Sequence, residues 1–230
     1  MAEFLSIAFL GFFLGMRHAM DPDHVVAVTT IVSREGRVDR AGGIGMLWGL
    51  GHTVTILLVG GAILLFDVVI PPRIGLTMEL SVAVMLVLLG VLNLMHRLDG
   101  HRHIGDATAE TKGERGSIFH HQSLRPLAIG VVHGLAGSAA IALLVLATIS
   151  NPMWGVVYLG VFGIGTVAGM MLITAAISIP FAYTSRRLAG FNRSVGFASG
   201  VSSLVFGMFL IYQIAFIDGL FTAYAHWTPR

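Results

Sequence analysis

The sequence has 230 residues, of which 55% are hydrophobic and 11% charged, and its mean hydropathy is +0.83. A soluble globular domain of ordinary composition does not reach this apolar content, so the composition indicates an integral membrane protein. The absence of cysteine excludes disulfides and thiolate metal sites, and a formal net charge of +2 is too small to argue for a nucleic-acid partner.

Six apolar stretches are long enough, or nearly so, to cross a hydrocarbon core, which takes about 20 helical residues. The predicted fold class is therefore all-α, a polytopic membrane protein with six transmembrane helices. We place these helices near residues 3–33, 43–66, 77–96, 125–149, 153–180 and 194–217.

The first stretch is too long for one regular crossing, and Asp21-Pro22-Asp23 interrupts it. Proline removes a helical hydrogen bond and clashes with the preceding turn, so we expect helix 1 to be broken there. The freed backbone groups must face other helices or a water-filled cavity, because lipid cannot satisfy them.

The segment GMRHAMDPDH at residues 15–24 carries five ionisable side chains within a stretch otherwise suited to lipid. Each such group in a spanning helix costs at least about 2.5–3.5 kcal/mol on insertion scales, so these groups are retained mainly where they pair or bind something. On a regular helix His18, Asp21 and His24 would share one face, and local unwinding would add Asp23.

Two interpretations of this segment remain open. Imidazole nitrogen suits late first-row divalent ions such as Ni²⁺, Co²⁺, Zn²⁺ and Cu²⁺, whereas an all-oxygen cage would suit Mg²⁺ or Ca²⁺. The histidines therefore indicate a transition-metal site. In the alternative interpretation, Arg17 and Asp21 form a plain ion pair at i, i+4 and the histidines only pack against neighbouring helices.

Histidines elsewhere in the chain give weaker indications. His52, in the mid-helix segment LWGLGHTVTILL, is either a ligand or a partner in a helix-packing hydrogen bond. His133, in VVHGLAGS, lies among small residues that let helices approach closely and has the same two interpretations. The polar loop 97–123 carries four more histidines, which form a weak metal-collecting tract or belong to a solvated linker. These are His101, His103, His120 and His121.

The two halves of the chain are weakly similar when His18 is aligned with His133, an offset of 115 residues. Each half then contains three helices, and the odd number of crossings inverts the second half relative to the first. This is the inverted-repeat plan of many secondary transporters. The predicted organisation is a first three-helix repeat at 1–96, a cytoplasmic loop at 97–123 and a second three-helix repeat at 124–230.

Lys and Arg are distributed unevenly among the segments between the helices. By the positive-inside tendency, the loop 97–123 faces the cytoplasm and both termini face away from it. The basic residues assigned to the cytoplasmic side are Arg34, Arg37, Arg40, Arg97, Arg102, Lys112, Arg115, Arg125, Arg186, Arg187 and Arg193, whereas Arg73 and Arg230 lie on the other side.

The segment RHAMDPDH resembles the first signature of the nickel/cobalt transporter superfamily, His-Ala-x-Asp-x-Asp-His, and GLGHT resembles its second motif. With VHGLAGSAA at 132–140, the chain looks most like the six-helix, urease-accessory-type (UreH-like) nickel permeases. It departs from the superfamily pattern in two places. Pro22 replaces the usual alanine between the aspartates, and AGSAA stands where the eight-helix members have an acidic motif.

The resemblance implies a secondary transporter, not an enzyme, that takes up Ni²⁺, or Co²⁺, across the cytoplasmic membrane without ATP. It implies no permanent cofactor, and as partners the lipid bilayer and a cytoplasmic metallochaperone or nickel-enzyme maturation system. An efflux permease of the same superfamily and a non-metal exporter of small solutes on a related inverted-repeat fold are the alternatives. The ligands it implies are His18, Asp21, Asp23, His24 and His52, with His133 as a second ligand or part of the exit path.

Overall fold

The computed structural model of the chain describes residues 2–33, 35, 37–66, 70–99, 115–135, 149, 151–184, 189–222 and 225–227. Every regular element in these ranges is helical, in agreement with the predicted fold class. The elements are α1 (Ala2–His18), α2 (Pro22–Val32), α3 (Val38–Phe66), α4 (Pro72–Asp99), α5 (Arg115–His133), α6 (Pro152–Thr184), α7 (Ala189–Tyr212) and a π-helix (Gln213–Ile217).

Four helices in the described part of the chain, α3, α4, α6 and α7, are long and apolar enough to cross a membrane. They correspond to the second, third, fifth and sixth predicted spans, and the chain is a multi-pass membrane protein. The predicted fourth span begins within α5, but its second half, residues 136–148, lies outside the described residues. The apolar parts of α1, α2 and α5 are shorter than a full crossing.

The predicted interruption of the first span is confirmed. Helix α1 ends at His18 and α2 begins at Pro22, with Asp21 at φ −59° and ψ 145° as the N-cap residue of α2. Proline at the first position of a helix has no hydrogen bond to lose, so Pro22 starts a new helix and does not bend an old one. His18 therefore lies on a different helix from His24, and the shared face that a regular helix would give to His18, Asp21 and His24 does not apply here.

Helices α1 and α6 approach each other through paired glycines. A Cβ atom on Gly15 of α1 would collide with the carbonyl oxygen of Phe162, and one on Gly165 of α6 would collide with the carbonyl oxygen of Phe12. Only glycine permits this backbone separation, so the two positions hold α1 against α6.

Helices α3 and α5 approach each other through the same arrangement. A Cβ atom on Gly130 of α5 would collide with the carbonyl oxygen of Trp48, and one on Gly51 of α3 would collide with that of Leu127. These four residues are the positions of the α1–α6 contact shifted by 114 or 115 along the sequence. The contact between α1 and α6 thus has a counterpart between α5 and α3.

Helices α4 and α7 pack through a third pair of glycines. A Cβ on Gly90 would lie 2.7 Å from the backbone nitrogen of Leu204, and one on Gly207 would lie 2.9 Å from the backbone nitrogen of Val87. An offset of 117 converts each contact into the other, because Gly90 maps onto Gly207 and Val87 onto Leu204. The two sides of the α4–α7 contact are therefore equivalent, one from each half of the chain.

We predict that Gly51→Ala lowers the free energy of unfolding by about 1–3 kcal/mol, because the added methyl group has no space against α5. Gly61→Ala is the matched control on the same helix, since a Cβ there meets nothing within 4 Å. The check is the melting temperature of both variants in detergent. Equal melting temperatures for the two variants would contradict this close approach of α3 and α5.

Candidate metal centre

The ends of three helices meet the middle of a fourth at a buried cluster of histidines. His18 is the last residue of α1, His24 lies in the first turn of α2 and His133 is the last residue of α5. His52 lies near the middle of α3. His24, His52 and His133 have no exposed surface, and His18 is 5% exposed. The interruption before Pro22 places α1 and α2 so that both contribute to this cluster.

The first group in the cluster consists of His18, His24 and His52. Nε2 of His18 and Nε2 of His52 are 2.8 Å apart. The ring centroid of His24 lies 4.7 Å from that of His18 and 5.1 Å from that of His52. Each residue offers a nitrogen within 4.8 Å of the other two, so the three side chains can share one ion.

The second group consists of Asp23, His24 and His133. One carboxylate oxygen of Asp23 is 3.2 Å from Nδ1 of His24, and the other is 2.8 Å from Nε2 of His133. The ligand atoms of this group also lie within 4.8 Å of one another. His24 therefore belongs to both groups.

Asp21 occupies a different position from the other predicted ligands. Its carboxylate lies 2.8 Å from Nδ1 of His18, whereas the other ring nitrogen of His18, Nε2, faces His52. The side chain of Asp21 is 37% exposed. A carboxylate accepts hydrogen bonds, so it holds the proton on Nδ1 and leaves the Nε2 lone pair of His18 directed into the cluster. In the alternative interpretation of the sequence Asp21 pairs with Arg17, whereas in the structure its carboxylate contacts His18.

Buried ring nitrogens without a partner are concentrated in this cluster. Nε2 of His24, Nδ1 of His52 and Nδ1 of His133 have no hydrogen-bond partner. A buried polar atom left unpaired costs about 1–3 kcal/mol, so most such atoms in proteins are satisfied. An ion that accepts a nitrogen lone pair would satisfy one of them.

Two aromatic residues that the sequence analysis did not single out form the walls of the cluster. The indole of Trp48 stacks on His24 with ring centroids 6.0 Å apart and meets the edge of His133 at 5.4 Å. Phe162 of α6 lies 5.6 Å from His18. Trp48 lies one helical turn before His52, and this i, i+4 spacing could have placed it on the same face. Phe162 could have been identified from the sequence only because it lies 114 residues after Trp48 and so occupies the equivalent position in the second half.

The remaining histidines named in the sequence analysis are not located by the structure. His101 and His103 lie outside the described residues. His120 and His121 fall within the bounds of α5, but their side chains lie outside the description. Their role as a metal-collecting tract stays a prediction.

No protein-family model matches the chain. It is 36% identical over 222 residues to the urease accessory protein UreH of Bacillus sp. (strain TB-90), and the match covers 95% of this chain and 96% of that protein. The chain belongs to the UreH family. The predicted resemblance to UreH-like proteins is thereby confirmed.

A second, more distant relative is a plant protein. The chain is 24% identical over 212 residues to the chloroplast protein FOR GROWTH AND FERTILITY 2 of Arabidopsis thaliana. The match covers 91% of this chain but 57% of that protein, so the chain spans little more than half of the plant protein's length. Neither relative bears the name of an enzyme. No solved structure matches the chain.

We predict that Asp21→Asn weakens Co²⁺ binding by about 10–100-fold without abolishing it, because the amide orients His18 less well than the carboxylate does. Asp39→Asn is the control, since that aspartate pairs with Arg37 on an exposed surface. The measurement is a Co²⁺ titration of the purified protein. If Asp21→Asn binds no Co²⁺ at all, as expected of His24→Ala, then Asp21 is itself a ligand.

Proposed function

We propose that this member of the UreH family is a secondary transporter of divalent transition-metal ions, with Ni²⁺ as its main substrate and Co²⁺ as a second one. The observation that carries the proposal is the buried group of His18, His24 and His52 inside a multi-pass membrane protein. Imidazole nitrogens select ions of this class over Mg²⁺ and Ca²⁺, which prefer oxygen. The bacterial relative is a urease accessory protein.

The distances in the cluster are compatible with such an ion. Two nitrogens bound at right angles to one ion, each at about 2.0–2.1 Å, lie about 2.8–3.0 Å apart. The Nε2 atoms of His18 and His52 are separated by 2.8 Å. A modest shift of His24 then completes a three-nitrogen site with open positions for water or for exchange of the ion.

The charges in the cluster also favour a dication. Asp21 contacts His18, and Asp23 contacts both His24 and His133. Metal binding requires neutral imidazoles, and the two carboxylates beside them then leave an anionic region that a divalent ion would neutralise. Charged groups at such depth are retained mainly where they serve a substrate pathway or a binding site.

We propose further that the chain consists of two inverted three-helix repeats, at 1–96 and 124–230, which give six transmembrane helices. The paired glycine contacts support this plan. Sequence offsets of 114 and 115 map the residues of the α1–α6 contact onto those of the α5–α3 contact. An offset of 117 maps one side of the α4–α7 contact onto its other side. Three spans in each half invert the second half, and alternating access is the mechanism that such a plan supports.

The proposed setting is the cytoplasmic membrane, with both termini outside and the segment 97–123 inside, because most basic residues lie in or beside the inner segments. The proposed direction is uptake into the cytoplasm, where a metallochaperone or a nickel-enzyme maturation system receives the ion. The chain acts without ATP, and the metal is its substrate and not a resident cofactor.

We expect cells that express the chain to accumulate more radioactive ⁶³Ni²⁺ than cells without it, and His24→Ala to abolish the difference. Because His24 is fully buried, the comparison is made only with variant protein that is present in the membrane at the parental level. His226→Ala, which removes an exposed histidine, is the matched control. Reduced accumulation in expressing cells would indicate efflux, and no effect on Ni²⁺ or Co²⁺ would favour the non-metal exporter.

We expect a reporter inserted between residues 100 and 114 to behave as cytoplasmic, and one fused after Arg230 to behave as external. The reason is the excess of basic residues on the inner side. Reporter pairs that are active only inside or only outside the cell measure both positions. Finding both reporters on the same side would contradict six spans and the inverted repeat together.

A further inference from the structure

We infer that the transported ion occupies two adjacent positions in turn and passes between them across the ring of His24. This inference rests on the proposed function. Position A is formed by His18, His24 and His52, and position B by Asp23, His24 and His133. One imidazole thus serves two sites through its two nitrogens.

The orientation of the His24 ring supports this arrangement. Its Nδ1 lies 3.2 Å from the carboxylate of Asp23, in position B. Its Nε2 is buried and has no hydrogen-bond partner, so we assign that atom to position A, with His18 and His52. The two lone-pair directions of an imidazole point to different sides of the ring, so an ion held at one nitrogen is displaced from an ion held at the other.

The two groups of ligands are distinct and do not merge into one site. The ligand atoms within each group lie within 4.8 Å of one another, and no larger group in the described part of the chain meets that limit. The rings of His52 and His133 are 6.1 Å apart, whereas each lies closer to His24, at 5.1 and 4.1 Å. The donors also differ, since A offers three imidazoles and B offers two imidazoles and a carboxylate.

The ion should occupy A or B but not both at once. Two divalent ions separated by a single imidazole would repel each other strongly in a region of low dielectric constant. Double occupancy would also require His24 to lose both ring protons. With one ion present, the neutral ring keeps its proton on the nitrogen that faces away from the ion. When the ion moves from Nε2 to Nδ1, the Nδ1 proton is released and Nε2 takes one up, so the ring stays neutral.

The helices that supply the two positions give the transfer a direction. Position A includes His18 at the end of α1, and position B includes His133 at the end of α5. In the proposed inverted repeat α1 enters from the outer side of the membrane and α5 from the cytoplasmic side. For uptake, A receives the ion from outside and B releases it toward the cytoplasm.

The test uses the whole 230-residue chain in detergent and in proteoliposomes, with Co²⁺ as the probe because its visible absorption reports its ligands. His52→Gln disables position A, His133→Gln disables position B, and His24→Gln disables both. His226→Gln is the control outside the cluster. The readouts are the number of Co²⁺ ions bound at saturation, the absorption spectrum and the rate of Co²⁺ entry into vesicles.

We expect the parent and the control to bind one Co²⁺. His52→Gln and His133→Gln should each still bind one Co²⁺ with different spectra, while their transport rates fall at least 10-fold. His24→Gln should bind none. A variant counts only if it is monodisperse and melts near the parental temperature, and His18→Gln replaces His52→Gln if the latter does not meet this criterion.

Three results would overturn the two-position relay. They are two Co²⁺ ions bound to the parent, parental transport by His133→Gln, or complete loss of binding in a well-folded His52→Gln or His133→Gln. The last result would indicate a single site that uses all the ligands together. A parent that neither binds nor transports Co²⁺ or Ni²⁺ would contradict the proposed function itself, which distinguishes that failure from failure of the relay.

Discussion

A buried imidazole needs a partner for each of its ring nitrogens, and at His24 this requirement connects two groups of side chains. Asp23 satisfies Nδ1, whereas Nε2 is buried without a hydrogen-bond partner in a ring that contacts both His18 and His52. The helix interruption serves this arrangement, because α1 ends at His18, α2 begins at Pro22, and both helix ends bring a histidine to the cluster. The stacking of Trp48 on His24 then keeps the ring in an apolar, water-poor environment.

The glycine contacts explain how four helices come close enough for short side chains to meet. Gly51 and Gly130 bring α3 and α5 together one turn or less from His52 and His133, and Gly15 holds α1 against α6 close to His18. Helix association in membranes depends on such close packing, because lipid supplies no hydrophobic drive between helices. The same residues that relate the two halves of the chain therefore also lie beside the histidine cluster.

Much of this site could be predicted from the sequence, because its ionisable residues are conspicuous in an apolar chain and proline marks the break. The break at Asp21-Pro22-Asp23 was predicted, but the relative orientation of α1 and α2 across it could not be, and that orientation decides how His18 and His24 meet. The sequence grouped Asp21 and Asp23 as ligands of one site, but their carboxylates contact different histidines. Asp21 precedes α2 and contacts His18, whereas Asp23 lies in the first turn of α2 and contacts His24 and His133. The contact between Asp23 and His133 spans 110 residues of sequence, and only tertiary packing establishes it.

The central claim is that the imidazoles of the cluster bind the transported ion directly, and X-ray absorption at the nickel edge tests it most directly. For Ni²⁺ bound to the full-length protein, the structure predicts imidazole nitrogens at about 2.0–2.1 Å, comparable with other divalent sites. The multiple-scattering pattern of these rings should be present in the parent and lost in His24→Ala. A nickel spectrum with oxygen neighbours alone, unchanged by His24→Ala, would contradict the claim.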